Sequence, residues 1–510
     1  MDLVEQTPRE PTVPSLFRKT DFGKEAGGGS PRKGAKLYLI AAIVAQVAAL
    51  LRYVTMARLL GPSELGLAAT LILTAGFFDL ITDTGSDRFL IQDEDGDAPS
   101  VQALVQLVYV GRGAGIALFL ILLAWPIARL YHQPQLTVGF MLMGLVQLIL
   151  GFTHMDMRRS QRLQNFRSEA LVMILGEIAS LIAIVIASVI TRNYTAILWG
   201  LFARALVSVV TSHVLAERPY RIAYDRAHGP RLRRFAWPLM VSGTMLFIGA
   251  QGDRVLVGNQ LGVTELGLYS AIMLLVLYPS AILLRYMHAL FVPWVAGLRG
   301  DPFELNRVAD VLGSQTVVLG AMMAAGFAVV APVAVPLLYG GRYTQSILLI
   351  GLIGILQTTR FVIVWPTTVA LALGRSSAVM ISNLVRMLAF PGALVGIYIS
   401  HNLEGLVGGF IVGEVISIAA AILLLNRTLD RRITAGLLRY GRFLGVACLI
   451  FGFDLALAHP AVVPLAGLTA AAFGLGFWIL RSEMIGITTL LRAVFSQRLR
   501  VLLPRGRGSA

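Results

Sequence analysis

Long runs of apolar residues, separated by short polar segments, follow one another along this chain from residue 37 to residue 480. A helix needs about 20 mostly apolar residues to cross the hydrocarbon core of a bilayer. The pattern predicts an all-α polytopic membrane protein with about 14 transmembrane helices. The predicted spans are 37–57, 64–83, 103–127, 135–153, 169–190, 195–215, 235–258, 265–285, 309–338, 345–371, 377–399, 403–425, 442–458 and 461–480.

The two ends of the chain differ from the spans. Residues 1–36 are polar and contain a Gly-Gly-Gly-Ser stretch, which predicts a flexible tail without the apolar core of a cleavable signal peptide. Residues 485–503 mix apolar residues with arginines, which is typical of an amphipathic helix lying in the membrane interface. We expect no segment outside the membrane to fold as a separate domain.

Composition supports a membrane protein and excludes other classes. Of the 510 residues, 56% are hydrophobic and 14% are charged, whereas soluble domains carry about 25% charged residues. Mean hydropathy is +0.74. A soluble fold, intrinsic disorder and a nucleic-acid-binding domain are therefore excluded for the chain as a whole. Cys448 is the one cysteine, so an intramolecular disulfide is excluded as well.

The net charge of +15 follows from where the lysines and arginines lie. If the N-terminus is cytoplasmic, the segments on the cytoplasmic side carry 32 of them, and the opposite loops carry only four. Cytoplasmic loops of membrane proteins carry such an excess of basic residues. We therefore expect both termini in the cytoplasm, and we interpret the basic loops as topology signals that contact anionic lipid rather than nucleic acid.

An eight-residue motif occurs twice, six spans apart. Residues 60–67 read LGPSELGL and residues 261–268 read LGVTELGL, with six identical positions. In each copy we expect the first glycine to end a helix, Ser63 or Thr264 to cap the next helix, and the glutamate to lie near its positive end. The matched residues are Gly61, Glu64 and Gly66 in the first copy and Gly262, Glu265 and Gly267 in the second.

The repeat predicts duplication of a six-span unit. Because six is even, both copies insert in the same orientation, about an axis along the membrane normal. A recurring helical hairpin without duplication is the alternative. The predicted units are a cytoplasmic flexible tail (1–36), an N-lobe of spans 1–6 (37–215), a basic cytoplasmic linker (216–234), a C-lobe of spans 7–12 (235–425), a basic loop with spans 13 and 14 (426–480) and a cytoplasmic amphipathic tail (481–510).

Several arginines fall inside predicted spans, where each costs about 2.5–3.5 kcal/mol at the bilayer centre on insertion scales. Such residues face a water-filled cavity or an acidic partner. Since the planar guanidinium suits phosphate recognition, we expect a cationic cavity for an anionic substrate. Arg112 lies near a span end and is expected to reach toward the interface. The cavity residues are Arg52, Arg204, Arg254, Arg360 and Arg386.

Carboxylates also fall inside the predicted spans. The candidates for ion coupling are Asp79, Asp83, Glu177, Asp253 and Glu414. The alternative is that these carboxylates pair with the buried arginines and tie the two lobes together. For Asp79 and Asp83, which are four residues apart on one helix face, the alternative is a structural pair at the cytoplasmic end of the second span.

No motif for a cofactor, a metal or a nucleophile stands out. The chain lacks a phosphate-cradling P-loop, which argues against direct drive by ATP, and its seven histidines are scattered. The acidic run from Asp93 to Asp97 lacks the spacing of a calcium-binding loop and is expected to be a solvated turn. We therefore expect no cofactor, and we interpret the chain as a transporter rather than an enzyme.

Residues 57–67, ARLLGPSELGL, resemble the "A-R-x-L-G-P-x-E-F/Y-G-x" hairpin of bacterial polysaccharide flippases of the Wzx type. Residues 83–85 (Asp-Thr-Gly), followed by Ile-Gln at 91–92, are similar to the end of the second span in that family. The basic residues between 158 and 167 and the Leu-Gly-Arg turn at 373–375 match in kind. The hairpin is the specific part of this resemblance.

The resemblance covers most of residues 37–425 and implies a place in the multidrug/oligosaccharidyl-lipid/polysaccharide exporter superfamily. Asp87 and Arg88 depart from it, because the family is usually apolar there. Family members carry undecaprenyl-pyrophosphate-linked oligosaccharides across the inner membrane for export of O-antigen, capsule or exopolysaccharide. The resemblance therefore implies a lipid-linked oligosaccharide as substrate, moved by alternating access in a multi-pass inner-membrane protein.

Three other functions are weighed against this expectation. A multidrug or cation exporter of the same superfamily would carry acidic residues deep in spans 1 and 7 and few arginines, but the first span has no acidic residue. A membrane enzyme such as a polysaccharide polymerase or ligase would need a long periplasmic loop. A peptidoglycan-precursor (lipid II) flippase has the same architecture and stays open. Membrane lipids are expected partners, and a polysaccharide polymerase and chain-length regulator are candidate partners, whereas nucleic acid is not.

Overall fold

The computed structural model describes residues 31–163, 165–297 and 302–429, together with residues 438, 439, 441, 442, 445 and 446. All regular elements in this part are helical. The first half contains α1 (Pro31–Leu60), α2 (Pro62–Ile81), α3 (Ser86–Gln92), α4 (Pro99–Leu122), α5 (Ala124–Leu130), α6 (Leu136–Gly151), α7 (Asp156–Arg162), α8 (Arg167–Thr191) and α9 (Ala196–Val214). The second half contains α10 (Gly229–Gln260), α11 (Val263–Gly297), α12 (Pro302–Tyr339), the 3-10 helix η1 (Gly341–Tyr343), α13 (Ile347–Val362), α14 (Val364–Ala372), α15 (Ser376–Arg386), α16 (Ala389–Ser400) and α17 (Leu403–Thr428).

Within these residues, ten helices are long and apolar enough to cross a membrane, or eleven if the bent pair α6 and α7 forms one span. The 32-residue helix α10 covers the seventh predicted span. Each of the first 12 predicted spans therefore coincides with helical structure, and the protein is an all-α multi-pass membrane protein. Span 14, nearly all of span 13, residues 1–30 and residues 481–510 lie outside the described residues, so the count of 14 stays a prediction. Residues 31–36, which were predicted to belong to the flexible tail, are the first residues of α1.

Three predicted spans are broken into two helices, and a proline explains each break. Proline lacks a backbone N–H, and its ring clashes with the carbonyl of residue i−4. Pro126, Pro366 and Pro391 occupy the third positions of α5, α14 and α16. The preceding helices end just before these prolines, and spans 3, 10 and 11 each continue through a second helix.

Side-chain contacts define two ends of the molecule. At one, which we call the hairpin end, Arg58 donates to the carbonyl of Leu338 at 2.7 Å, and Asn259 donates to the carbonyl of Leu130 at 2.6 Å. At the other, which we call the linker end, the loop between α3 and α4 contacts the linker between α9 and α10. Buried apolar residues of both halves form one core cluster, to which α2 and α11 contribute heavily.

The two copies of the repeated motif cross each other at the hairpin end. A Cβ atom on Gly66 would lie 1.6 Å from the carbonyl oxygen of Val263, and one on Gly267 would lie 2.0 Å from that of Pro62. Gly66 and Gly267 are equivalent positions of the two copies, and so are Pro62 and Val263, so the two contacts are equivalent. α2 and α11 therefore approach each other symmetrically, at a distance that only glycine permits.

Both turn glycines of the motif lie between two helices and have a positive φ, 90° at Gly61 and 93° at Gly262, which glycine adopts readily. Glu64 lies in the first turn of α2 as predicted, and its Oε2 accepts a hydrogen bond from the backbone N–H of Tyr194 at 2.7 Å. Glu265 lies in the first turn of α11. The prediction that Ser63 caps α2 was wrong, because the helix begins at residue 62 and Gly61 is its N-cap.

Candidate functional site

The predicted membrane arginines and carboxylates gather into two clusters, one in each half. The first cluster joins α1, α8 and α9. Arg52 Nη1 lies 2.9 Å from Glu177 Oε2 and also donates to Ser180 Oγ at 3.0 Å. Arg204 Nη2 lies 3.1 Å from Glu177 Oε1. A single carboxylate thus holds two arginines, each by one of its oxygens.

The second cluster joins α10, α13, α15 and α17. Arg360 connects two carboxylates, with Nη1 2.8 Å from Asp253 Oδ2 and Nε 2.8 Å from Glu414 Oε1. Arg386 Nε and Nη2 both lie 2.8 Å from the same Glu414 oxygen. Tyr269 donates to Asp253 Oδ2 at 2.7 Å. Four charged side chains and one phenol therefore form one connected network.

The clusters differ in exposure. The side chains of Asp253 and Glu414 are 0% and 1% exposed, whereas Arg204 of the first cluster is 45% exposed. Arg386 lines a small pocket together with Asn383 and Phe390. Buried ions must be paired, because an unpaired charge in a medium of low dielectric constant is strongly unfavourable. In the second cluster, each buried carboxylate is paired with an arginine of the same cluster. In the first cluster, the guanidinium of Arg204 remains partly exposed.

These contacts bear on the alternative of interlobe ion pairs. The arginines do pair with carboxylates, as that alternative expects. In both clusters, however, all partners belong to the same half of the chain. Among the described residues, the clusters therefore strengthen each half and do not tie the two halves together.

Arg254 stands apart from its neighbour Asp253. Its backbone N–H donates to Asp253 Oδ1 at 2.8 Å, but its guanidinium points elsewhere, with Nε 3.4 Å from the sulfur of Met273. The residue is 9% exposed, and Nη2 has no hydrogen-bond partner in the part of the chain that the structure describes. Arg254 is thus a buried cation with an unused donor.

Asp79 and Asp83 have separate partners. Asp79 Oδ1 lies 3.0 Å from Arg112 Nη2, and its Oδ2 accepts from Gln147 Nε2 at 3.1 Å. Asp83 accepts from the N–H of Gly85 at 2.9 Å. The contacts of Asp79 join the end of α2 to α4 and α6. Arg112 binds this helix end instead of reaching toward the interface.

The acidic run at the linker end is bound by basic side chains. Arg231 lies 2.8 Å from both Asp93 Oδ2 and Asp95 Oδ2, and Arg218 lies 3.0 Å from Asp97 Oδ1. We call these contacts, with those of His228, the linker bridge. The run was predicted as a solvated turn; about half of the Asp95 and Asp97 side-chain surface is exposed, but their oxygens bind arginine. No described group of three or more metal-ligating side chains could hold a metal ion.

His228 is the titratable base of the linker bridge. Its Nδ1 lies 2.7 Å from Asp225 Oδ2 and its Nε2 lies 3.2 Å from Asp95 Oδ2. Hydrogen bonding to Asp225 first, and then to Asp95, raises the pKa of His228 above its ordinary value. The same contact with His228 lowers the pKa of Asp225 to about 2. The two partners therefore favour the charged forms of each other.

Sequence reasoning missed the neutral members of the clusters. Ser180 lies one helical turn after Glu177, a spacing that could have suggested a shared face. Tyr269 and Gln147 carry no comparable signal, because they meet Asp253 and Asp79 only through packing of separate helices. Gln147 donates to the Asp79 oxygen that Arg112 does not bind. Tyr269 donates to the Asp253 oxygen that Arg360 also binds, and Ser180 accepts a hydrogen bond from Arg52.

The fold and these clusters define a multi-pass membrane protein with buried charge in each half of the helix bundle. A family described as "Polysaccharide biosynthesis protein" matches residues 55–348, and the chain belongs to this family. The resemblance carried by residues 57–67 is thereby confirmed.

Two curated relatives are similar over part of the chain. Succinoglycan biosynthesis transport protein ExoT of Rhizobium meliloti (strain 1021) is 24% identical over 311 residues, which cover 60% of this chain and 62% of the relative. Amylovoran biosynthesis protein AmsL of Erwinia amylovora is 25% identical over 252 residues, covering 46% of this chain and 63% of the relative. The matches span less than two thirds of the relatives' own lengths.

Two solved structures share the fold. The lipid II flippase MurJ in an inward closed conformation matches with a TM-score of 0.62 and 13% identity, covering 90% of this chain and all of that chain. A point mutant of the Vibrio cholerae MATE transporter VcmN matches with a TM-score of 0.54 and 16% identity, covering 78% of this chain and 96% of that chain. At such identities the likeness concerns the fold alone.

Proposed function

We propose that this protein moves an undecaprenyl-pyrophosphate-linked oligosaccharide from the cytoplasmic to the outer leaflet of the inner membrane, for export of a surface polysaccharide. The observation that carries the proposal is the excess of guanidinium groups over carboxylates at mid-helix depth. Arg52 and Arg204 share the one carboxylate of Glu177. Arg254, beside the second cluster, has an unused donor. A diphosphate with one negative charge on each phosphoryl group complements this excess.

Arg204 and Arg386 are the proposed first contacts of the diphosphate. Arg204 is nearly half exposed, and Arg386 lines a pocket beside Glu414. Arginine still has free donors when one side of its guanidinium binds a carboxylate, because it carries five N–H groups in a planar fork. A phosphoryl group can therefore add to these arginines or replace the carboxylate. Arg52 and Arg360 support them from deeper positions.

The two halves are proposed to act as the lobes of an alternating-access transporter, with residues 37–215 in one lobe and 235–425 in the other. The crossing of the two motif copies at the hairpin end supports this division, because the contacts are exchanged by an approximate twofold axis. The linker end, with its basic segments, is proposed to face the cytoplasm, together with both termini. The lipid tail stays in the bilayer while the head group crosses.

Glu414 is the proposed coupling residue. Its Oε1 accepts hydrogen bonds from Arg360 and Arg386, whereas its Oε2 has no partner among the residues that the structure covers. A phosphoryl group that replaces it on Arg386 would leave the carboxylate to bind a cation. Glu177 binds one arginine with each of its oxygens, and both oxygens of Asp253 also accept hydrogen bonds. Asp79 and Asp83 are proposed to be structural.

A peptidoglycan-precursor flippase is the second candidate, supported by a fold match to MurJ over 90% of this chain. The names of the two curated relatives favour surface polysaccharides instead. A multidrug exporter is less well supported, because α1 has no carboxylate between residues 37 and 57. A polysaccharide polymerase and a chain-length regulator are proposed as partners in the same pathway.

The proposal is tested by deleting the gene and measuring both surface glycan and the leaflet location of undecaprenyl-linked oligosaccharide. We expect loss of one surface polysaccharide, with its lipid-linked unit trapped on the inner leaflet. A normal glycan with defective peptidoglycan would favour the second candidate. Normal glycan and normal peptidoglycan, with raised sensitivity to cationic drugs, would contradict both.

A further inference from the structure

A groove of about 480 Å³ lies between the two halves near the linker end. One side is α4 of the first half, on which Leu104 and Val108 are one helical turn apart. The other side is the beginning of α10 in the second half, and Tyr224 and Thr84 complete the lining. Its volume falls within the range of about 300–1,000 Å³ that is typical of small-molecule sites. The groove can therefore hold part of one elongated molecule.

One face of α10 lines the groove along its length. Arg233, Ala236, Trp237 and Met240 have the spacing i, i+3, i+4 and i+7, which places them on the same side of the helix. From Gly229 to Met240 the lining covers roughly 16 Å of helix, at a rise of 1.5 Å per residue. One leaflet of a bilayer has a hydrocarbon region of roughly 15 Å, half of the whole core. The groove thus has the length of a lipid chain.

The lining changes from polar to apolar along the groove. At the linker end, a Cβ atom on Gly229 would lie 2.6 Å from Tyr224 Oη, so this phenol lies against the first turn of α10. That turn has no acidic residue and no side-chain cap, so the positive end of the helix dipole is not neutralised there. One turn further lies Arg233, followed by the indole of Trp237 and the side chain of Met240. This gradient matches a molecule with an anionic head and an apolar chain.

The charge of the groove is positive. Among the described residues of the lining, Arg233 is the one charged residue, and none is a carboxylate. Arg231, two residues earlier, is already bound to Asp93 and Asp95 in the linker bridge, whereas no ion pair joins Arg233 to a described carboxylate. Basic pockets between membrane helices bind the phosphate-bearing head groups of lipids. Arg233 is therefore a cation available to such a head group.

We propose that this groove is a binding site for one anionic phospholipid, whose phosphate binds Arg233 and whose acyl chain runs past Trp237 toward Met240. Leu104 of α4 and Leu232 of α10 belong to one buried apolar cluster, so the bound chain extends an existing contact between the halves. Because the two sides of the groove belong to different halves, the lipid contacts both and stabilises their present arrangement. The inference does not depend on which substrate the protein transports.

Quenching of Trp237 fluorescence by brominated lipid tests the site. The full-length protein is reconstituted into phosphatidylcholine nanodiscs that contain increasing fractions of brominated phosphatidylglycerol or, separately, of brominated phosphatidylcholine. Since the chain has six tryptophans, the contribution of Trp237 is the difference between wild type and Trp237→Phe. We expect half-maximal quenching at an about fivefold lower fraction of phosphatidylglycerol, which is the preference that one basic residue gives for an anionic lipid.

Arg233→Gln is the test variant, and Arg234→Gln is the matched control. Both substitutions remove one exposed charge from adjacent positions of α10, but Arg234 does not line the groove. We expect the two brominated lipids to quench Trp237 equally in Arg233→Gln, while Arg234→Gln keeps the wild-type preference. Equal quenching of the wild type by both lipids would overturn the site, and so would an equal loss of preference in the two variants.

Competition identifies the lipid that occupies the groove. Unbrominated phosphatidylglycerol and undecaprenyl pyrophosphate are added separately to wild-type nanodiscs with brominated phosphatidylglycerol, and recovery of Trp237 fluorescence is measured. We expect phosphatidylglycerol to restore the fluorescence at least as well as undecaprenyl pyrophosphate does at the same fraction. Recovery at an about tenfold lower fraction of undecaprenyl pyrophosphate would assign the groove to a polyprenyl lipid and overturn the phospholipid site.

Discussion

The two charge clusters differ in how they neutralise charged side chains inside the helix bundle. In the second cluster, Arg360 sits between Asp253 and Glu414, whose side chains are 0% and 1% exposed, and Arg386 is 18% exposed. In the first, Glu177 holds two arginines, and Arg204 remains nearly half exposed. An arginine in a membrane span can therefore be either a buried partner in an ion-pair network or a partly exposed cation. The second cluster pairs its carboxylates internally and has one partly exposed cation, Arg386, whereas the first cluster has the more exposed cation, Arg204.

The largest expected difference between the clusters concerns stability. Arg360→Gln would leave two buried carboxylates without their shared cation, and breaking a buried ion pair in this way costs about 3–5 kcal/mol. Arg204→Gln removes a partly exposed partner of Glu177, which keeps Arg52 and should cost about 1 kcal/mol or less. Thermal unfolding in detergent measures both. Equal losses would contradict the distinction between the clusters.

The repeated motif predicts that the halves respond alike at the hairpin end. Gly66→Ala and Gly267→Ala each place a Cβ against a backbone carbonyl of the opposite helix. Such overpacking costs about 1–3 kcal/mol, and we expect similar losses for the two variants. Gly76→Ala, on α2 with no described heavy atom within 4 Å of its Cβ, is the control and should be neutral or stabilising. A loss confined to one of the two glycines would show that the crossing is not symmetric.

The smallest expected effect concerns the linker bridge, which has no counterpart among the described ion pairs at the hairpin end. Because the pKa of His228 is raised in the folded protein, its contribution is fully present below the ordinary value of about 6.5 and is lost as pH rises through the raised value. Arg231 stays charged, and Asp95 and Asp225, whose pKa values are lowered, stay ionised throughout. The protection factors of the amides at residues 93–97, from which the intrinsic base-catalysed rise of exchange with pH is divided out, should therefore fall from pH 6 to pH 9.

His228→Gln is the control for this pH dependence. The variant keeps a side chain that can hydrogen-bond but does not titrate, so the described bridge should no longer respond to pH in that window. Unchanged pH dependence in His228→Gln would assign the effect to another group. Protection factors around residues 61 and 262 should stay constant over the same range, because the hairpin end is joined by apolar packing and close glycine contacts.

Much of the fold was predictable, because membrane spans are set by local hydrophobicity. The positions of α2, α8 and α17 agree with the predicted spans to within a few residues. The turns between two helices at Gly61 and Gly262 followed from the motif, whereas their positive φ was not predicted. The crossing of the two copies did not, because it depends on how α2 and α11 pack.

The charged residues of the candidate site could be predicted from the sequence, but the ion pairs between them could not. Buried arginines and carboxylates stand out in an apolar run because they are expensive there. Which of them meet is decided by tertiary contacts between residues far apart in the sequence, such as Arg52 and Glu177 at a separation of 125. For that reason the sequence grouped Arg360 with Arg204, although the structure places one in a closed network and the other at an open position.

Transport by purified protein tests the central claim, that Arg204 and Arg386 hold the diphosphate of the substrate. Wild type and single glutamine variants are reconstituted into vesicles with lipid-linked oligosaccharide from the deletion strain, and its movement is followed with an impermeant lectin. Arg226→Gln, in the linker and exposed, is the control. We expect Arg204→Gln and Arg386→Gln to slow transport at least about tenfold, since each loses a charge-assisted hydrogen bond, while Arg226→Gln transports normally. Wild-type rates in both cavity variants would contradict the account.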